Sequence, residues 1–557
     1  MRVRKRVVSF SRNSLPALVG GFGLALSIPP WGFWILAFPG AALLWWRLGG
    51  GLNPDEPPRL RSRLWLGWVA GIGLYGPGLF WATSFNLYGG IIMILIESLA
   101  LGLACAACGT GRGRLLALPG AMILAEWLRE IWPFGGLPLG GVALGQVAGP
   151  LGVAARIGGP LLLTGLVWLA GAGLGSLVMG LIGNRRSTRP GPSGTASGNT
   201  EDACAIDADG ISGRIDTDTP ATGHDRKKLT AGVIGIAVVV VICAYGVVAP
   251  NGGPSLKTLH VASVQGGGTR GLRKAQVNPQ IVYDAQLEAT AELSEPKYSF
   301  GKKYGDAPDD NLVVWPEDVV SLNGPLVGTT TQGQLAQIAR SVGASLLVGV
   351  TYTVTPSTFR NEVVAFAPSG SIVGTYEKVH RVPFGEYVPY RGFFKHFANL
   401  SGVPQDAIPG TRPGYIRTPS APVGLMVSYE VFFADSGRSA TRAGAELLVV
   451  PTNTSSYSTS QVPTQEVAAA RLQAIEEGRD LIQTAPTGYS AIINNDGQVL
   501  QRSVLGARQV LIANVSLRDG ATIYERIGDL PILLLALLCL ILGWALDLAK
   551  RRPRAQS

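Results

Sequence analysis

The segment GLMVSYEVFF, at residues 424–433, is an apolar run that turns polar at Ser428, Tyr429 and Glu430. Its first half is typical of a buried β-strand, and a serine directly after such a strand lies where the chain turns. In α/β proteins, functional side chains collect at the ends of strands. Ser428 is therefore a candidate functional residue, although serine at a strand end is also a common turn residue.

Two further strand-like runs end in charged residues. VVWPE, at residues 313–317, ends in Glu317, and YEKVHRVPFGEYVPY, at residues 376–390, contains Lys378 and Glu386. Taken singly, a glutamate or a lysine in such a place is usually a solvated surface charge. A carboxylate, an ammonium group and a nucleophile at separate strand ends are, however, the parts of an acyl-transferring site.

The block around these patterns alternates between strands and helices. Apolar runs of strand length are separated by helix-like stretches at 277–295, 331–342 and 462–477. The strand-like runs are LHVASVQ, NLVVWP, SLLVGVTY, EVVAFAP, VGLMVS, ELLVVPT, LIQTAPT, YSAIIN and QVLIANV. Strands that alternate with helices favour a layered α/β fold with a shared core.

Outside this block, the sequence is that of a polytopic membrane protein. The chain has 557 residues, of which 47% are hydrophobic and 15% charged, and its mean hydropathy is +0.26. Stretches near the length needed to cross a bilayer predict about eight α-helical spans. They lie at about 14–29, 31–47, 64–86, 90–109, 114–131, 160–183, 230–249 and 528–549.

The basic residues predict an orientation for these spans. Clusters of Lys and Arg precede the first span, follow the second, fourth and eighth, and lie between the sixth and seventh. All of them fall on one side of the membrane, which the positive-inside rule identifies as the cytoplasm. Both termini are then cytoplasmic, and the net charge of +10 reflects topology rather than nucleic-acid binding. The basic start MRVRKR also fits a signal peptide, but seven further spans favour an uncleaved helix.

The five cysteines all lie outside the block from 250 to 527, so no cysteine thiolate can act there. Cys105 and Cys108 form a C-x-x-C pattern, which in other settings indicates redox or metal chemistry. Within an Ala-, Leu- and Gly-rich span, small residues at a helix–helix contact are the better interpretation. The sequence predicts neither a metal site nor a cofactor.

Several motifs together resemble one family. VPFGEYVP follows a lysine, and V-S-Y-E-x-x-F stands where C-Y-E-x-x-F is expected. AEWLREIWPFGGLPLGGVALGQ at 125–146, VQGGG at 264–268 and GRDLIQTAPTGYSAIINNDGQV at 478–499 match further patterns of the same family. Over nearly the whole chain, the sequence resembles apolipoprotein N-acyltransferases, as a divergent member with serine in place of the nucleophilic cysteine.

This resemblance implies an eight-span membrane domain joined to an extracytoplasmic nitrilase-like (carbon–nitrogen hydrolase) domain, which is an α/β αββα sandwich. The predicted segments are a membrane domain with six spans at 1–183, a disordered cytoplasmic linker at 184–228, span seven at 229–250, the nitrilase-like domain at 251–527, span eight at 528–549 and a basic cytoplasmic tail at 550–557. The implied location is a bacterial cell membrane.

The resemblance also implies a ping-pong acyl transfer in lipoprotein maturation. A phospholipid acyl group would move to the enzyme, and then to the α-amine of the diacylglyceryl-cysteine of an apolipoprotein. By position, Glu317 corresponds to the general base, Lys378 to the group that stabilises the oxyanion and Ser428 to the nucleophile. The supporting residues implied are Glu386, Tyr429 and Glu430. Some actinobacterial members are linked to a polyprenol-phosphate mannose synthase, which is thus a candidate partner.

The chain departs from the family pattern at and near Ser428. A serine hydroxyl is far less acidic than a thiol, and serine enzymes usually recruit a histidine or lysine as base. His380 lies two residues from Lys378, so a Ser–His arrangement is conceivable. Residues 453–458 read NTSSYS where N-D-x-W-F-G is typical, and Gln473 and Gln483 stand where arginine is common.

Three hypotheses follow from the motif and its departures. The first is a working N-acyltransferase that uses Ser428. The second is a catalytically silent homologue that binds lipid, lipoprotein or a partner enzyme through the same cleft. The third is a membrane-tethered amidase of the wider nitrilase-like class.

Overall fold

In a computed structural model, the described residues of the chain are 2–51, 56–187, 221–295, 298, 300, 310–396 and 399–549. They form a helical part and an α/β domain. The last helix among the described residues belongs to the helical part, so the α/β domain is inserted between two helices of that part. The predicted basic tail at 550–557 and most of the predicted linker lie outside the described residues.

The helical part contains one helix for each of the eight predicted apolar segments. Its helices are α1 (Arg2–Ser27), α2 (Ala37–Leu48), α3 (Leu60–Gly78), α4 (Leu87–Ala107), α5 (Arg114–Ile131), the short α6 (Ala143–Gln146), α7 (Ala155–Ser187), α8 (Ala221–Val248) and α15 (Leu530–Ala549). Among the described helices, four are long and apolar enough to cross a bilayer by length and composition. They are Leu87–Ala107, Gly152–Ile182, Arg226–Val248 and Leu530–Ala549.

Three of the predicted boundaries differ from the ends of the helices. The segment predicted at 64–86 is helical only to Gly78, because Pro77 ends the helix, and a 3₁₀ turn follows. The linker predicted to begin at 184 begins later, since α7 continues to Ser187, and α8 already starts at Ala221. Within α7, Gly159 has a φ of +63°, so the helix is broken just before its long apolar stretch.

Small residues set the closest helix contacts of the helical part. A Cβ on Gly20 would lie 2.7 Å from the carbonyl oxygen of Gly40, so α1 and α2 touch backbone to backbone. A Cβ on Gly67 would likewise lie 2.7 Å from the Cβ of Cys105. Cys105 and Cys108 are both buried, and the interpretation of this pair as small packing residues agrees with these contacts.

The strands of the α/β domain form two sheets. One has the order β14-β1-β2-β4-β5-β6, with β3 beside β4 and β7 beside β5, and the other has the order β13-β12-β11-β10-β9-β8. The strands are β1 (Lys257–Gln265), β2 (Asn311–Val314), β3 (Val320–Leu322), β4 (Ser345–Thr355), β5 (Thr358–Phe366), β6 (Ile372–Glu377), β7 (Asp406–Ala407), β8 (Tyr415–Arg417), β9 (Pro422–Leu425), β10 (Leu447–Pro451), β11 (Leu481–Thr484), β12 (Ala491–Ile493), β13 (Val499–Arg502) and β14 (Gln509–Leu517).

The two sheets pack face to face, and helices cover their outer faces. Val314 and Leu347 of the first sheet share a buried apolar core with Val423 and Val449 of the second. The helices of this domain are α9 (Pro279–Ala291), α10 (Thr330–Val342), α11 (Arg391–Phe394), α12 (Ala434–Arg442), α13 (Gln461–Glu477) and α14 (Ile523–Ile527). Residues of α9 and α10 pack on the first sheet and those of α12 and α13 on the second, so the predicted αββα sandwich is observed.

Helix α13 also joins the α/β domain to the helical part. The side-chain amide of Gln465 donates to the carbonyl oxygen of Gly78 at 3.0 Å and accepts from the amide of Gly140 at 3.2 Å. Gln461 donates to the carbonyl oxygen of Pro77 at 2.5 Å. Because α13 is covered by a sheet on one side and by these loops on the other, nearly all of its side chains are buried.

Candidate active site

Ser428 lies on a sharp turn after β9, as the sequence predicts. It begins a 3₁₀ turn that runs from Ser428 to Phe432, and its φ is +51°. This left-handed conformation is uncommon for a residue with a side chain and costs about 1 kcal/mol or more. Strained backbone of this kind is concentrated at functional sites. The turn leaves the half-buried Ser428 side chain accessible, while Tyr429 and Glu430 beside it are buried.

Glu317, Lys378 and Glu386 meet in one cluster, in which Glu317 and Lys378 are buried and Glu386 is half-buried. The Lys378 ammonium Nζ lies 2.9 Å from Glu317 Oε1 and 2.9 Å from Glu386 Oε1. Asn361 on β5 donates to the same two oxygens, at 2.8 and 3.0 Å. Strand ends far apart in the sequence therefore bring together a cation, two carboxylates and an amide that bridges them. Asn361 is a member of this cluster that the sequence analysis missed.

The charged groups of this cluster shift one another's pKa. Burial alone would lower the pKa of Lys378, but Glu317 and Glu386 outweigh it and raise that pKa above its ordinary value. Lys378 is therefore a permanent cation. Burial raises the pKa of Glu317, and the nearby Glu386 carboxylate raises it further against the opposing effect of Lys378. The two carboxylates share one ammonium group.

Glu430 ties the serine turn to the lysine segment. Its fully buried carboxylate accepts from the amides of Val427, Val379 and His380, at 2.7, 2.7 and 3.0 Å. The Tyr376 hydroxyl donates to it as well, at 3.0 Å. Burial raises the pKa of Glu430, while the three backbone N–H groups act to lower it. The Glu430 side chain thus holds the serine turn and the lysine segment together.

We expect Glu430→Gln to destabilise the protein and to loosen the site. A glutamine offers one acceptor oxygen, and its amide group would face a backbone donor, so at least one buried N–H loses its partner at a cost of about 1–3 kcal/mol. Thermal unfolding in detergent should shift down by several degrees. Glu288→Gln is the matched control, because Glu288 pairs with Arg508 on the exposed surface. Equal melting temperatures for both variants would contradict this assignment.

Tyr429 connects the serine turn to the helical part. Its hydroxyl donates to the carbonyl oxygen of Gly136 at 2.8 Å. The hydroxyl of Tyr387, beside the lysine cluster, donates to the carbonyl oxygen of Phe134 at 2.8 Å. The loop between α5 and α6 therefore contacts both halves of the site.

His380 does not pair with Ser428. Its imidazole stacks on Phe433 with ring centroids 4.2 Å apart, and its Nε2 lies 3.7 Å from the Asp435 carboxylate. Burial alone would lower the pKa of His380, but Asp435 outweighs it and raises that pKa. The conceivable Ser–His arrangement therefore lacks support from the geometry.

A further buried carboxylate lies on α13. Glu466 is 1% exposed and accepts a hydrogen bond from the Thr452 hydroxyl, and burial raises its pKa to about 8. The sequence analysis placed this residue in a helix but gave it no role. The sequence pattern around Glu466 does not indicate a functional residue, because a polar residue in a helix of mixed composition is usually on the surface.

The positions that depart from the family pattern are filled by neutral polar groups. Gln473 donates to the carbonyl oxygens of Val431 and Phe433, at 3.1 and 2.9 Å. Gln483 donates to the carbonyl oxygen of Tyr489 at 2.9 Å. The 453–458 segment places Tyr457 edge-on against Trp81 of the helical part, with ring centroids 5.3 Å apart. Tyr457 thus makes an aromatic contact with the helical part, and the two glutamines bind backbone carbonyl groups.

The assembled groups fit acyl transfer through a covalent intermediate. A hydroxyl on a strained turn can act as a nucleophile, a buried ammonium group can stabilise an oxyanion and nearby carboxylates can carry protons. Among the described residues, no group of three His, Cys, Asp or Glu side chains is arranged to hold a metal ion.

Comparison with known proteins finds two family models that match in succession. One is the apolipoprotein N-acyltransferase N-terminal domain, over residues 20–173, and the other is carbon-nitrogen hydrolase, over residues 278–524. The first matches most of the helical part and the second most of the α/β domain.

Whole-chain relatives match across both parts. The chain is 28% identical to the apolipoprotein N-acyltransferase of Mycolicibacterium smegmatis over 500 residues, which cover 87% of this chain and 77% of that protein. It is 27% identical to the one from Allorhizobium ampelinum over 548 residues, 91% and 90% of the two chains. A solved nitrilase-superfamily protein from Saccharomyces cerevisiae covers 47% of this chain and 91% of its own, with 18% identity and a TM-score of 0.34.

Proposed function

Since the chain belongs to the apolipoprotein N-acyltransferase family, we propose that it transfers an acyl chain from a membrane phospholipid to an apolipoprotein. The acceptor is the α-amine of the N-terminal diacylglyceryl-cysteine. The observation that carries this proposal is the Glu317–Lys378–Glu386 cluster, retained beside a strained turn that presents Ser428. A lysine buried between two carboxylates is costly to desolvate, and such clusters are concentrated at functional sites, which favours a working site over a silent one.

We assign the roles from contacts and chemistry. Ser428 is the nucleophile, because it carries the half-buried hydroxyl of the turn, whereas the Tyr429 hydroxyl is buried and donates to Gly136. Lys378 stabilises the oxyanion, since it is a permanent cation that the two glutamates hold in place. Glu317 stands at the family's general-base position, and Glu386 supports the lysine. Glu430 and Tyr429 position the serine turn, through the lysine segment and the helical part respectively.

The proposed reaction runs in two halves. In the first, the Ser428 oxygen attacks the ester carbonyl of the phospholipid, and collapse of the tetrahedral intermediate releases a lysophospholipid and leaves an acyl-serine. In the second, the lipoprotein amine attacks the acyl-serine, and an amide forms as the serine oxygen leaves. The amine loses a proton and the serine regains one.

The number of helices that cross the membrane and their orientation are part of the proposal. The four long apolar helices and the family support a membrane protein. We propose that all eight helices cross, that both termini are cytoplasmic and that the α/β domain is extracytoplasmic, because the basic clusters all fall on one side in that arrangement. The comparisons lend no support to a polyprenol-phosphate mannose synthase as partner, and none is proposed.

The reaction is tested with a phospholipid labelled in its sn-1 acyl chain. We expect purified wild-type protein to move the label to a diacylated lipopeptide with a free α-amine, and not to the same peptide with a blocked amine. Mass spectrometry of the peptide gives the readout. Transfer to neither peptide, together with ammonia release from simple amides, would replace the proposal with an amidase.

A further inference from the structure

A buried arginine of the helical part binds the loop that reaches the candidate site. Arg129 lies near the end of α5 and is 2% exposed. Its Nε donates to Glu97 Oε2 at 2.7 Å, and its Nη1 donates to Glu126 Oε1 at 2.9 Å. Its Nη2 donates to the carbonyl oxygens of Leu137 and Leu139, at 2.9 and 2.8 Å. One guanidinium group thus ties α4 and α5 to the loop between α5 and α6.

Other carbonyl groups of the same loop contact the candidate site. The carbonyl oxygen of Phe134 accepts from the Tyr387 hydroxyl, and that of Gly136 accepts from the Tyr429 hydroxyl, both at 2.8 Å. Tyr387 belongs to the lysine segment and Tyr429 to the serine turn. The loop is therefore fixed by Arg129 within the helical part and by these two tyrosines within the α/β domain.

The backbone of the loop transmits a shift from one set of contacts to the other. Gly136 has a φ of +94°, and a Cβ on it would lie 2.0 Å from the carbonyl oxygen of Glu130, so the chain folds tightly back on α5 here. The Leu137 amide donates to the carbonyl oxygen of Arg129 at 2.8 Å. Because Leu137 directly follows Gly136, a loop that moves away from Arg129 also moves the carbonyl group that Tyr429 binds.

The contacts of Arg129 explain why the residue is an arginine. A guanidinium group has five N–H donors in a rigid plane, and four hydrogen bonds are made here to two side chains and two backbone carbonyls. A lysine ammonium is a compact charge without this fork and cannot reach all four acceptors. The Arg129 guanidinium also lies over the Tyr75 ring, with Cζ 4.2 Å from the ring centroid. Buried ion pairs add little to stability, so the position they give the loop is the better explanation of this cluster.

We propose that Arg129 is a positioning residue for the acyl transfer, and that it acts through this loop on the serine turn and the lysine segment. The inference rests on the proposed function. A small misplacement of reacting groups by a distant substitution can lower a rate by about 10²-fold. The helical part then supports the reaction directly, through one guanidinium group.

The first test compares Arg129→Lys with wild type in single-turnover formation of the acyl-enzyme, with labelled phospholipid and the full-length protein in detergent. Lysine keeps the positive charge beside Glu97 and Glu126 but lacks the fork. We therefore expect the Arg129→Lys protein to fold, with a melting temperature close to that of wild type, and to acylate about tenfold more slowly or worse. A wild-type rate in Arg129→Lys would overturn the inference, because a charge alone would then suffice.

Arg156→Lys is the matched control. Arg156 is also a buried arginine of the helical part, 3% exposed, and it pairs with Asp496 of the α/β domain at 2.8 Å. Because Asp496 is half exposed and lysine keeps the charge, this variant should acylate within about threefold of wild type. A loss as large as that of Arg129→Lys would contradict a specific role for Arg129.

A double-mutant cycle separates action through the loop from a general loss of stability. Tyr387→Phe and Tyr429→Phe together remove the hydroxyls that bind the loop. In that background we expect Arg129→Lys to lower the rate by less than about threefold, because residues that act through shared contacts are not additive. An equal loss in both backgrounds would contradict the inference and leave the acyltransferase proposal intact.

Hydrogen–deuterium exchange gives a readout that does not depend on activity. Peptides that cover 132–142 and 427–433 should exchange faster in Arg129→Lys than in wild type, and unchanged in Arg156→Lys. Unaltered exchange at 427–433 in Arg129→Lys would overturn the inference even if the rate falls. A wild type that never acylates would overturn the proposed function, and exchange at 427–433 would still decide whether Arg129 positions the serine turn.

Discussion

Ser428→Ala is expected to abolish acyl transfer, with a fall of about 10⁴-fold or more. Without the hydroxyl there is no atom to carry the acyl group between the two halves of the reaction, and removal of a nucleophile is among the largest single losses that enzymes show. The measurement is transfer of a labelled phospholipid acyl chain to a diacylated lipopeptide. Melting temperatures should be unchanged, since alanine fits the half-buried position.

Ser428→Cys is the informative control for that variant. We expect it to form an acyl-enzyme at least as readily as wild type, because it restores a thiol among the same neighbours. A wild type as inactive as Ser428→Ala, together with a gain of activity in Ser428→Cys, would show that the native protein is a silent homologue with an intact cleft. An active wild type together with an inactive Ser428→Ala variant would contradict the silent-homologue hypothesis.

Lys378→Met should damage both activity and stability. Loss of one oxyanion-stabilising group lowers the rate by about 10²–10³-fold. The substitution also leaves Glu317 and Glu386 buried without their cation, and breaking a buried pair in this way costs about 3–5 kcal/mol. Transfer rates and thermal unfolding in detergent measure the two effects. Lys257→Met is the control, since Lys257 pairs with Asp310 on the surface.

A triple variant separates the two losses. Adding Glu317→Gln and Glu386→Gln to Lys378→Met removes the unpaired charges, so it should recover much of the stability and none of the activity. Recovery of activity in the triple variant would contradict the role of Lys378. So would a Lys378→Met protein that retains more than a tenth of the wild-type rate.

The sequence predicts the layered α/β domain and the strand-end positions of Glu317, Lys378 and Ser428 because these depend on local patterns. An apolar run predicts a strand, and polar residues after it predict an exposed end. Span boundaries were less reliable, since hydropathy does not register where Pro77 ends α3. Whether all eight helices cross a membrane stays a prediction.

The contacts that complete the site could not be predicted in this way. Asn361 reaches it from a strand distant in sequence from Glu317, and a single sequence gives no sign of such a pairing. The period of α13 suggests a surface helix, because it mixes polar and small residues without an apolar stripe. It is buried only because the helical part covers the side that the sheet leaves open. Contact with the helical part therefore explains why polar residues of α13 are buried.

The hydrogen bonds of Tyr429, Gln461 and Gln465 to loops of the helical part have a practical consequence. A water-soluble fragment cut at 251 and 527 would lose all of these partners at once. Helix α13 would then face solvent on the side that the helical part covers in the whole chain. Such a fragment is a poor surrogate for inhibitor screening or for soaking experiments, even if it folds. Ligand discovery on this target should begin with the whole chain in a lipid nanodisc.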